Sequence, residues 1–441
     1  MNLNSVFTDF CTLKTKKAMK EEFLHYVWKN KLFNSSNLKT TKNDSLTILN
    51  FGLHNKNSGP DFLNSKVEIE DQVWFGNTEI HIKSSDWYLH QHEVDEKYDA
   101  VILHVVWEHD ADVYMKNNVP IQTLELKNLI APELLHKYLE LYRRNLNWIP
   151  CEKNINTVDT FVLDNWLERL FIERLEKKSI LIQQELKNSN NDWEAVLFVM
   201  LAKNFGLKVN ADAFLHLAKS IPFSVLRKEQ SSSLKLTALL FGQAGFLSEE
   251  IEDPYHLNLK KEYHYLEHKH HLNPISKNQF QFFRMRPSNF PTIRIAQLSA
   301  LYHKHQNLFS QLMQTRKVDD VYELFKIQVD VFWETHYTFT KDSIKRKKRF
   351  SKPFLDLLVI NTIVPLQFCY QKSLNEFRAA SLFKTMKHLQ SEKNSIILKF
   401  SSLKVEAKNA LESQALLELK NNYCALKRCL ECAIGNQLLK N

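Results

Sequence analysis

The sequence predicts an α+β chain in two parts: an α/β domain over residues 1–130 and a large all-helical domain over residues 131–441. Three observations favour this division. A chain of 441 residues is expected to form two or three domains of about 100–200 residues each. Strand-like patterns are concentrated before about residue 130, and helical periodicity dominates after it. The hydrophobic content of 44% and charged content of 25% are ordinary for a globular protein.

The front domain begins with an amphipathic helix over residues 19–33, followed by strands over 45–52, 64–70 and 73–83. Residues 84–98 are predicted to be helical, with Ser84, Ser85 or Asp86 as the cap. A nearly continuous apolar strand over 100–109 is typical of a strand buried on both faces. A further strand is predicted over 119–127. The order is therefore helix, three strands, helix and two strands, which indicates an α/β sandwich.

The long apolar segment at residues 354–370 contains Asp356, Asn361 and Pro365. We therefore interpret it as a buried helix interrupted by Pro365 rather than as one of the roughly 20-residue apolar runs that span a bilayer, and we expect no membrane contact. The N-terminus shows no apolar signal-peptide core. Six cysteines in so long a chain do not suggest a disulfide scaffold, which favours a cytoplasmic protein.

The net charge of +9 is unevenly distributed. Residues 1–150 contain 17 Lys and Arg against 20 Asp and Glu, whereas the remainder contains 42 against 30. A basic second half suits a polyanionic partner such as nucleic acid. The alternative is a lysine-rich surface without such a partner. The run KRKKR, formed by Lys345, Arg346, Lys347, Lys348 and Arg349, could contact phosphates through counterion release or form an exposed, solvated loop.

Polar residues of different chemistry share one face of the predicted strand 73–83. Because side chains two apart in a strand point the same way, Glu79, His81 and Lys83 lie together. Asp61, just before the preceding strand, would approach Glu79 if the two strands form a hairpin. Two converging carboxylates suit Mg²⁺ or Mn²⁺, and a nearby histidine or lysine could orient or deprotonate water.

This arrangement resembles the PD-(D/E)XK, or restriction-endonuclease-like, superfamily. Pro60-Asp61 matches the PD element, and Glu79-Ile80-His81 occupies the D/E-X-K position with histidine where lysine is usual. The resemblance implies an αβββαβ core that hydrolyses phosphodiester bonds in nucleic acid, DNA rather than RNA. It also implies that Lys83 supplies the missing amine and that Glu22, or its neighbour Glu21, assists from the first helix. The departure at His81 favours the alternative of an inactive nucleic-acid- or protein-binding module.

The segment Trp87-Tyr88-Leu89-His90-Gln91-His92 is similar to a histidine-containing stretch of the very-short-patch mismatch-repair endonucleases. That similarity implies that His90 and His92 act near the metal or the scissile phosphate. In a helix the two histidines would not share a face, whereas in an extended segment they could bind a metal together. A histidine-rich metal hydrolase is therefore a second alternative. His104, within the apolar strand, is expected to be a core histidine.

A wider resemblance covers nearly the whole chain. Blocks such as EEFLHYVW (21–28), NSGPDF (57–62) and YCALKRCLECAIGNQLL (423–439) are similar to a family of long bacterial proteins, common in Bacteroidetes and known only as a domain of unknown function. The last block contains Cys424, Cys429 and Cys432 in C-x4-C-x2-C spacing. Such thiolates can ligate zinc or an iron–sulfur cluster, with Cys151 or Cys369 as the fourth ligand. The alternative is a set of small buried thiols packed on a helix.

Overall fold

The computed structural model of the protein describes residues 19–142, 147–315 and 317–440. The chain divides into two compact units. The first unit contains the chain up to Trp166, residues 402–405 and the segment from Leu419 onward, and the second unit contains 167–401 and 406–418. The C-terminal segment therefore belongs with the front of the chain, which differs from the predicted boundary between residues 130 and 131.

A seven-stranded mixed sheet forms the centre of the first unit. Its strands are β1 (Leu38–Lys39), β2 (Ser45–Asn50), β3 (Leu53–His54), β4 (Phe62–Ile69), β5 (Gln72–Lys83), β6 (Val101–Glu108) and β7 (Thr123–Glu125). Their order is β1-β2-β4-β5-β6-β7, with β3 paired to β4. β4 and β5 form an antiparallel hairpin, whereas β5, β6 and β7 run parallel. The broad prediction of an α+β chain with its sheet at the front is confirmed.

Burial along β5 changes from one end to the other. Its first four residues are exposed, but residues 78–81 are all buried. Gly76, at the transition, lies against the chain that enters β6, because a Cβ added there would be 2.4 Å from the Ala100 carbonyl oxygen. The parallel partner β6 is buried at six of its eight positions, as expected for a central strand. Two polar residues of β5, Glu79 and His81, are thereby held inside the sheet region.

The first helix, α1 (Glu21–Asn30), buries one apolar side. Its neighbour α3 (Pro132–Tyr142) packs on it through Phe23 and Tyr138, whose rings stack with centroids 4.3 Å apart. The C-terminal helix α19 (Ala433–Lys440) contacts α3 in turn. Apolar burial thus ties three distant parts of the sequence together within this unit.

The predicted helix over residues 84–98 is wrong in its extent. Only α2 (Asp86–Leu89) is α-helical, and a short 3₁₀ turn follows at Glu96–Tyr98. The chain leaves α2 at Gln91, whose φ of 60° is left-handed. The His92 amide donates to the Trp87 carbonyl oxygen at 3.0 Å, and the Gln91 amide donates to that of Tyr88 at 3.1 Å. These two bonds form a Schellman motif, which turns the chain and brings His90 and His92 to the same side.

The remainder of the chain is mainly helical. Its other helices are α4 (Thr160–Asn188), α5 (Trp193–Phe205), α6 (Leu207–Ser220), α7 (Phe223–Glu229), α8 (Ser233–Gln243), α9 (Pro254–His270), α10 (Pro291–Lys304), α11 (Leu308–Gln314), α12 (Val318–Leu324), α13 (Phe332–Thr335), α14 (Lys352–Leu358), α15 (Val364–Ser373), α16 (Ala379–His388), α17 (Ser395–Ser402) and α18 (Ala410–Glu418). A small hairpin of β8 (His336–Thr338) and β9 (Lys341–Asp342) interrupts them. The prediction of an all-helical second domain is therefore wrong at this hairpin.

The segment Lys352–Ser373 is long and apolar enough to cross a membrane by length and composition, and 67% of its apolar window is buried within the protein. The helix is irregular just before Pro365, where an interruption was predicted. A π-helical segment, Val359–Ile363, precedes it, and the helix then continues as α15. A backbone oxygen of the π-helical segment accepts a side-chain hydrogen bond, because Lys178 Nζ donates to the Ile360 carbonyl at 3.3 Å. The absence of membrane contact stays a prediction.

Candidate metal centre beside a carboxylate pair

The structure brings Asp61 and Glu79 together. The Asp61 amide donates to Glu79 Oε2 at 3.0 Å, and Asp61 Oδ2 accepts from the Ile80 amide at 3.0 Å. The turn that precedes Asp61 is fixed by Asn55, whose side-chain amide donates to the Pro60 carbonyl at 3.0 Å. Each acidic residue thus binds the backbone at or beside the other, and the two carboxylates stay close.

Two imidazoles lie beside the Glu79 carboxylate, and a third lies next to them. His92 Nε2 lies 3.3 Å and His81 Nε2 lies 3.6 Å from Glu79 Oε1. His81 Nε2 is also 3.1 Å from His90 Nδ1, and one ring nitrogen from each histidine lies within 4.8 Å of the other two. Glu79 and His81 are 5% and 1% exposed, whereas His90 is exposed. The cluster is therefore buried on the β5 side and open to solvent at His90.

The donor set fits a first-row transition ion. Three imidazole nitrogens and a carboxylate oxygen suit zinc, manganese or iron, whereas Mg²⁺ prefers oxygen ligands. Burial lowers the pKa of His81 to about 2, with the neighbouring His104 adding to the effect, and burial also lowers the pKa of His92. These imidazoles are neutral and available as ligands at pH 7. Burial, and then the charge of Asp61, raise the pKa of Glu79 well above its usual range, so a cation would displace a proton from it.

His104 supports the cluster from the next strand. It is fully buried on β6 opposite Glu79, and its Nε2 lies 2.8 Å from His81 Nδ1. If His81 donates its Nδ1 proton to His104, the lone pair on His81 Nε2 faces Glu79 and His90, which is the tautomer a metal needs. On the other side, the ring of Tyr98 stacks on His92 with centroids 3.8 Å apart. His104 is thus a core histidine, as expected, that also positions a candidate ligand.

Helix α1 contributes Glu21 and His25, not Glu22. His25 Nε2 contacts Asp61 Oδ2 at 3.1 Å. Burial alone would lower the pKa of His25, but the contact with Asp61 outweighs burial and raises it. Burial also raises the pKa of Glu21, one helical turn before His25. Glu22 is 66% exposed, and its nearest cation is Lys20 at 3.9 Å. The i,i+4 spacing of Glu21 and His25 was the sequence signal that could have identified this face of the helix.

Lys83 lies outside the cluster. Its Nζ donates to Asp110 Oδ2 at 3.1 Å, and its side chain is 47% exposed. Asp110 also accepts hydrogen bonds from the Ser85 amide and hydroxyl, both at 2.9 Å. A local network at the end of β5 therefore holds the lysine away from Glu79. The implied replacement of the usual site lysine by Lys83 does not match this geometry.

The five cations at residues 345–349 do not form one phosphate-facing surface. Lys348 is buried, with Nζ 3.7 Å from the centre of the Tyr337 ring. Lys345 lies 3.6 Å from a carboxylate oxygen of Glu334. Arg346, Lys347 and Arg349 are exposed. The prediction that all five contact phosphate is wrong for the buried Lys348.

The three C-terminal cysteines lie in the first unit on irregular structure rather than along one helix. Cys424 ends a π-helical segment, Leu419–Cys424, Cys429 starts a 3₁₀ turn, and Cys432 is extended just before α19. Packing of Cys429 and Cys432 at successive turns of a helix, the alternative interpretation, does not match this geometry.

Fold and site together define an α+β protein with a histidine–carboxylate cluster on a mixed sheet. The chain belongs to the family described as "Protein of unknown function (DUF2851)", whose profile matches residues 21–395. No curated protein and no solved structure matches the chain. The matched range contains every residue of the cluster and ends before Cys424. Membership in an uncharacterised family, as the sequence suggested, is confirmed.

Replacing His104, which positions His81 but is not itself a candidate ligand, should weaken metal binding. We expect His104→Phe to lower the affinity for Mn²⁺ or Zn²⁺ about 10–100-fold, because His81 loses the partner that fixes its tautomer. His104→Gln, which can still accept from His81, should retain more affinity. Isothermal titration measures both. His109→Ala, which removes a histidine paired with Asp112 just beyond β6, is the matched control. Unchanged affinity in His104→Phe would contradict the positioning role.

Replacing Glu79 should change how stability depends on pH in the metal-free protein. A glutamate whose pKa is raised on folding favours the folded state when protonated, and that stabilisation is lost as pH rises from its usual value of 4.5 towards the raised one. Glu79→Gln does not titrate, so its unfolding free energy should increase relative to the wild type as pH rises from 6 to 8.5.

Denaturant titrations in the presence of a chelator measure this difference at the two pH values. Glu68→Gln, on the neighbouring strand β4 and only partly buried, is the control. Its unfolding free energy should differ from that of the wild type by the same amount at both pH values. If the difference in unfolding free energy between Glu79→Gln and the wild type does not vary with pH, burial does not disfavour the charged form of the Glu79 carboxylate.

Proposed function

We propose that this protein is a metal-dependent hydrolase that cleaves phosphodiester bonds in nucleic acid, on a restriction-endonuclease-like domain. The observation that carries the proposal is the convergence of Asp61, Glu79 and three imidazoles at the buried end of β5. Helix α1, the β4–β5 hairpin, the connection through α2 and the parallel strand β6 follow the αβββαβ order that the sequence resemblance implies. This agreement of element order and acidic pair supports the superfamily assignment.

The metal would be held by Glu79 together with His81, His90 and His92. Of the two ions expected from the sequence, the nitrogen-rich donor set favours Mn²⁺ over Mg²⁺. A bound divalent ion supplies Lewis acidity, which stabilises the negative charge that develops on a phosphate under attack. The exposed edge at His90 leaves a side from which a phosphate can approach.

A proton acceptor is available next to this position in His25. Asp61 contacts its Nε2 and raises its pKa, while the His25 side chain remains 19% exposed. A histidine oriented by a carboxylate is a suitable general base near neutral pH. We propose that His25 takes the proton that a lysine usually handles in this superfamily, since Lys83 is bound to Asp110. Asp61 would then orient the general base in addition to balancing the positive charge of the metal ion.

A second candidate function is favoured by the absence of a lysine from the cluster. With no lysine at position 81 and Lys83 engaged elsewhere, the domain could bind nucleic acid or protein without cleaving it. The exposed cations Arg346, Lys347 and Arg349 of the second unit are compatible with nucleic-acid binding under either function. Cleavage and binding therefore have to be measured on the same preparations.

The test is incubation of the protein with labelled single- and double-stranded DNA and with RNA, in Mn²⁺, Zn²⁺ or Mg²⁺. We expect cleavage with Mn²⁺, DNA as the better substrate, and a loss of about 100-fold or more in Asp61→Ala and Glu79→Gln. Lys83→Ala is the matched control and should cleave like the wild type. Cleavage that is equal in all variants would indicate a contaminant. Binding without cleavage in every metal would establish the inactive module instead.

A further inference from the structure

We infer that the first unit contains a second metal centre, an iron–sulfur cluster held by four cysteines: Cys151, Cys424, Cys429 and Cys432. This centre is independent of the proposed hydrolase function. The sequence spacing left Cys151 and Cys369 open as the fourth ligand, and the two-unit division separates them. Cys151 belongs to the same unit as the C-terminal three, whereas Cys369 lies in α15 of the second unit.

The four thiols belong to one unit although 272 residues lie between Cys151 and Cys424. All four are free thiols, and Cys151, Cys429 and Cys432 are buried. Their chain segments are in contact. Lys420 Nζ, four residues before Cys424, donates to the carbonyl of Trp148, three residues before Cys151, at 2.8 Å, and the Cys432 amide donates to the Cys429 carbonyl at 3.2 Å. Four free thiols on adjoining segments of one unit have the composition of a tetrathiolate ligand set.

The backbone around Cys432 is closely packed. The Asn436 amide donates to the Cys432 carbonyl at 2.8 Å, and the Asn436 side chain donates to the Leu430 carbonyl at 3.1 Å. Gly435 permits this packing, because a Cβ there would lie 2.2 Å from the Cys429 carbonyl oxygen. Burial raises the pKa of the Cys432 thiol, so a bound metal would displace its proton.

The spacing of the sulfurs favours a cluster over a single ion. A tetrahedral zinc site with Zn–S bonds of about 2.3 Å places its sulfurs roughly 3.8 Å apart. Among the residues that the structure describes, no three of these sulfurs lie within 4.8 Å of one another. Several irons with bridging sulfides fill a wider space between four thiolates than one zinc ion does. The ligand set is therefore more open than zinc requires.

The position of the centre suggests what it stabilises. It joins the segment around Cys151 to the C-terminal segment, whose helix α19 contacts α3. Tyr138 of α3 stacks on Phe23 of α1, and α1 carries His25. A cluster here would hold the C-terminus in place and, through α3, the helix that reaches Asp61.

The test uses the full chain purified without oxygen and reconstituted with iron and sulfide. We expect about two or four irons per chain with matching acid-labile sulfide, broad visible absorption that bleaches on reduction, and loss of both in Cys151→Ser, Cys429→Ser and Cys432→Ser. Cys369→Ser, which changes a buried free thiol in the other unit, is the matched control and should keep the cluster. His92→Ala should keep it too, which separates this centre from the histidine cluster.

The metal content of the wild-type chain decides the matter even if a cysteine variant fails to fold. One zinc per chain with no iron, lost in the cysteine variants, would overturn the iron–sulfur assignment. A wild-type protein that takes up neither iron nor zinc at these cysteines would overturn the site itself.

Discussion

The organisation of the front unit depends on the burial of one carboxylate, that of Glu79. A carboxylate that is 5% exposed and close to Asp61 is costly to keep charged unless hydrogen bonds or a cation compensate it. The Asp61 amide contributes one hydrogen bond, which fixes the turn before β4 against β5. The imidazoles of His81 and His92 line its other oxygen. The hairpin, the turn after α2 and the position of α1 all bring groups to this carboxylate.

Histidine takes over the positions where the superfamily resemblance implies lysine. One ring nitrogen of His81 is hydrogen-bonded to the buried His104, which orients the other ring nitrogen towards a metal. A lysine ammonium group at the same place has no second nitrogen that could be oriented in this way. Lys83 is instead part of the surface network around Asp110. The consequence is a cluster with three imidazoles and no lysine. In the proposed function a metal would balance the two carboxylates, and His25 would move the proton.

The parts of this site that follow from local patterns could be predicted from the sequence. The period of two along β5 places Glu79 and His81 on one face, and the short hairpin places Asp61 beside them. The choice between Glu21 and Glu22 depended on the exact phase of α1 against the sheet, which periodicity alone does not define. The end of α2 was missed because Gln91, and not glycine, adopts the left-handed conformation there.

Contacts between distant segments account for the other differences. Asp110, which follows β6, holds Lys83 away from the site, and Cys151 lies in the same unit as the cysteines from the far end of the chain. Neither pairing leaves a signal in the local spacing. The hairpin β8–β9 within the second unit is likewise only a few residues long, and short strands carry little periodicity.

The central claim is that His81, His90, His92 and Glu79 form one metal site, and X-ray absorption at the cobalt edge tests it most directly. The protein would be loaded with one equivalent of Co²⁺, a probe for Mn²⁺ and Zn²⁺ sites. We predict a first shell of nitrogen and oxygen with the multiple scattering of about three imidazoles, reduced in His92→Ala. An oxygen-only shell without imidazole scattering, or no bound cobalt, would contradict the account.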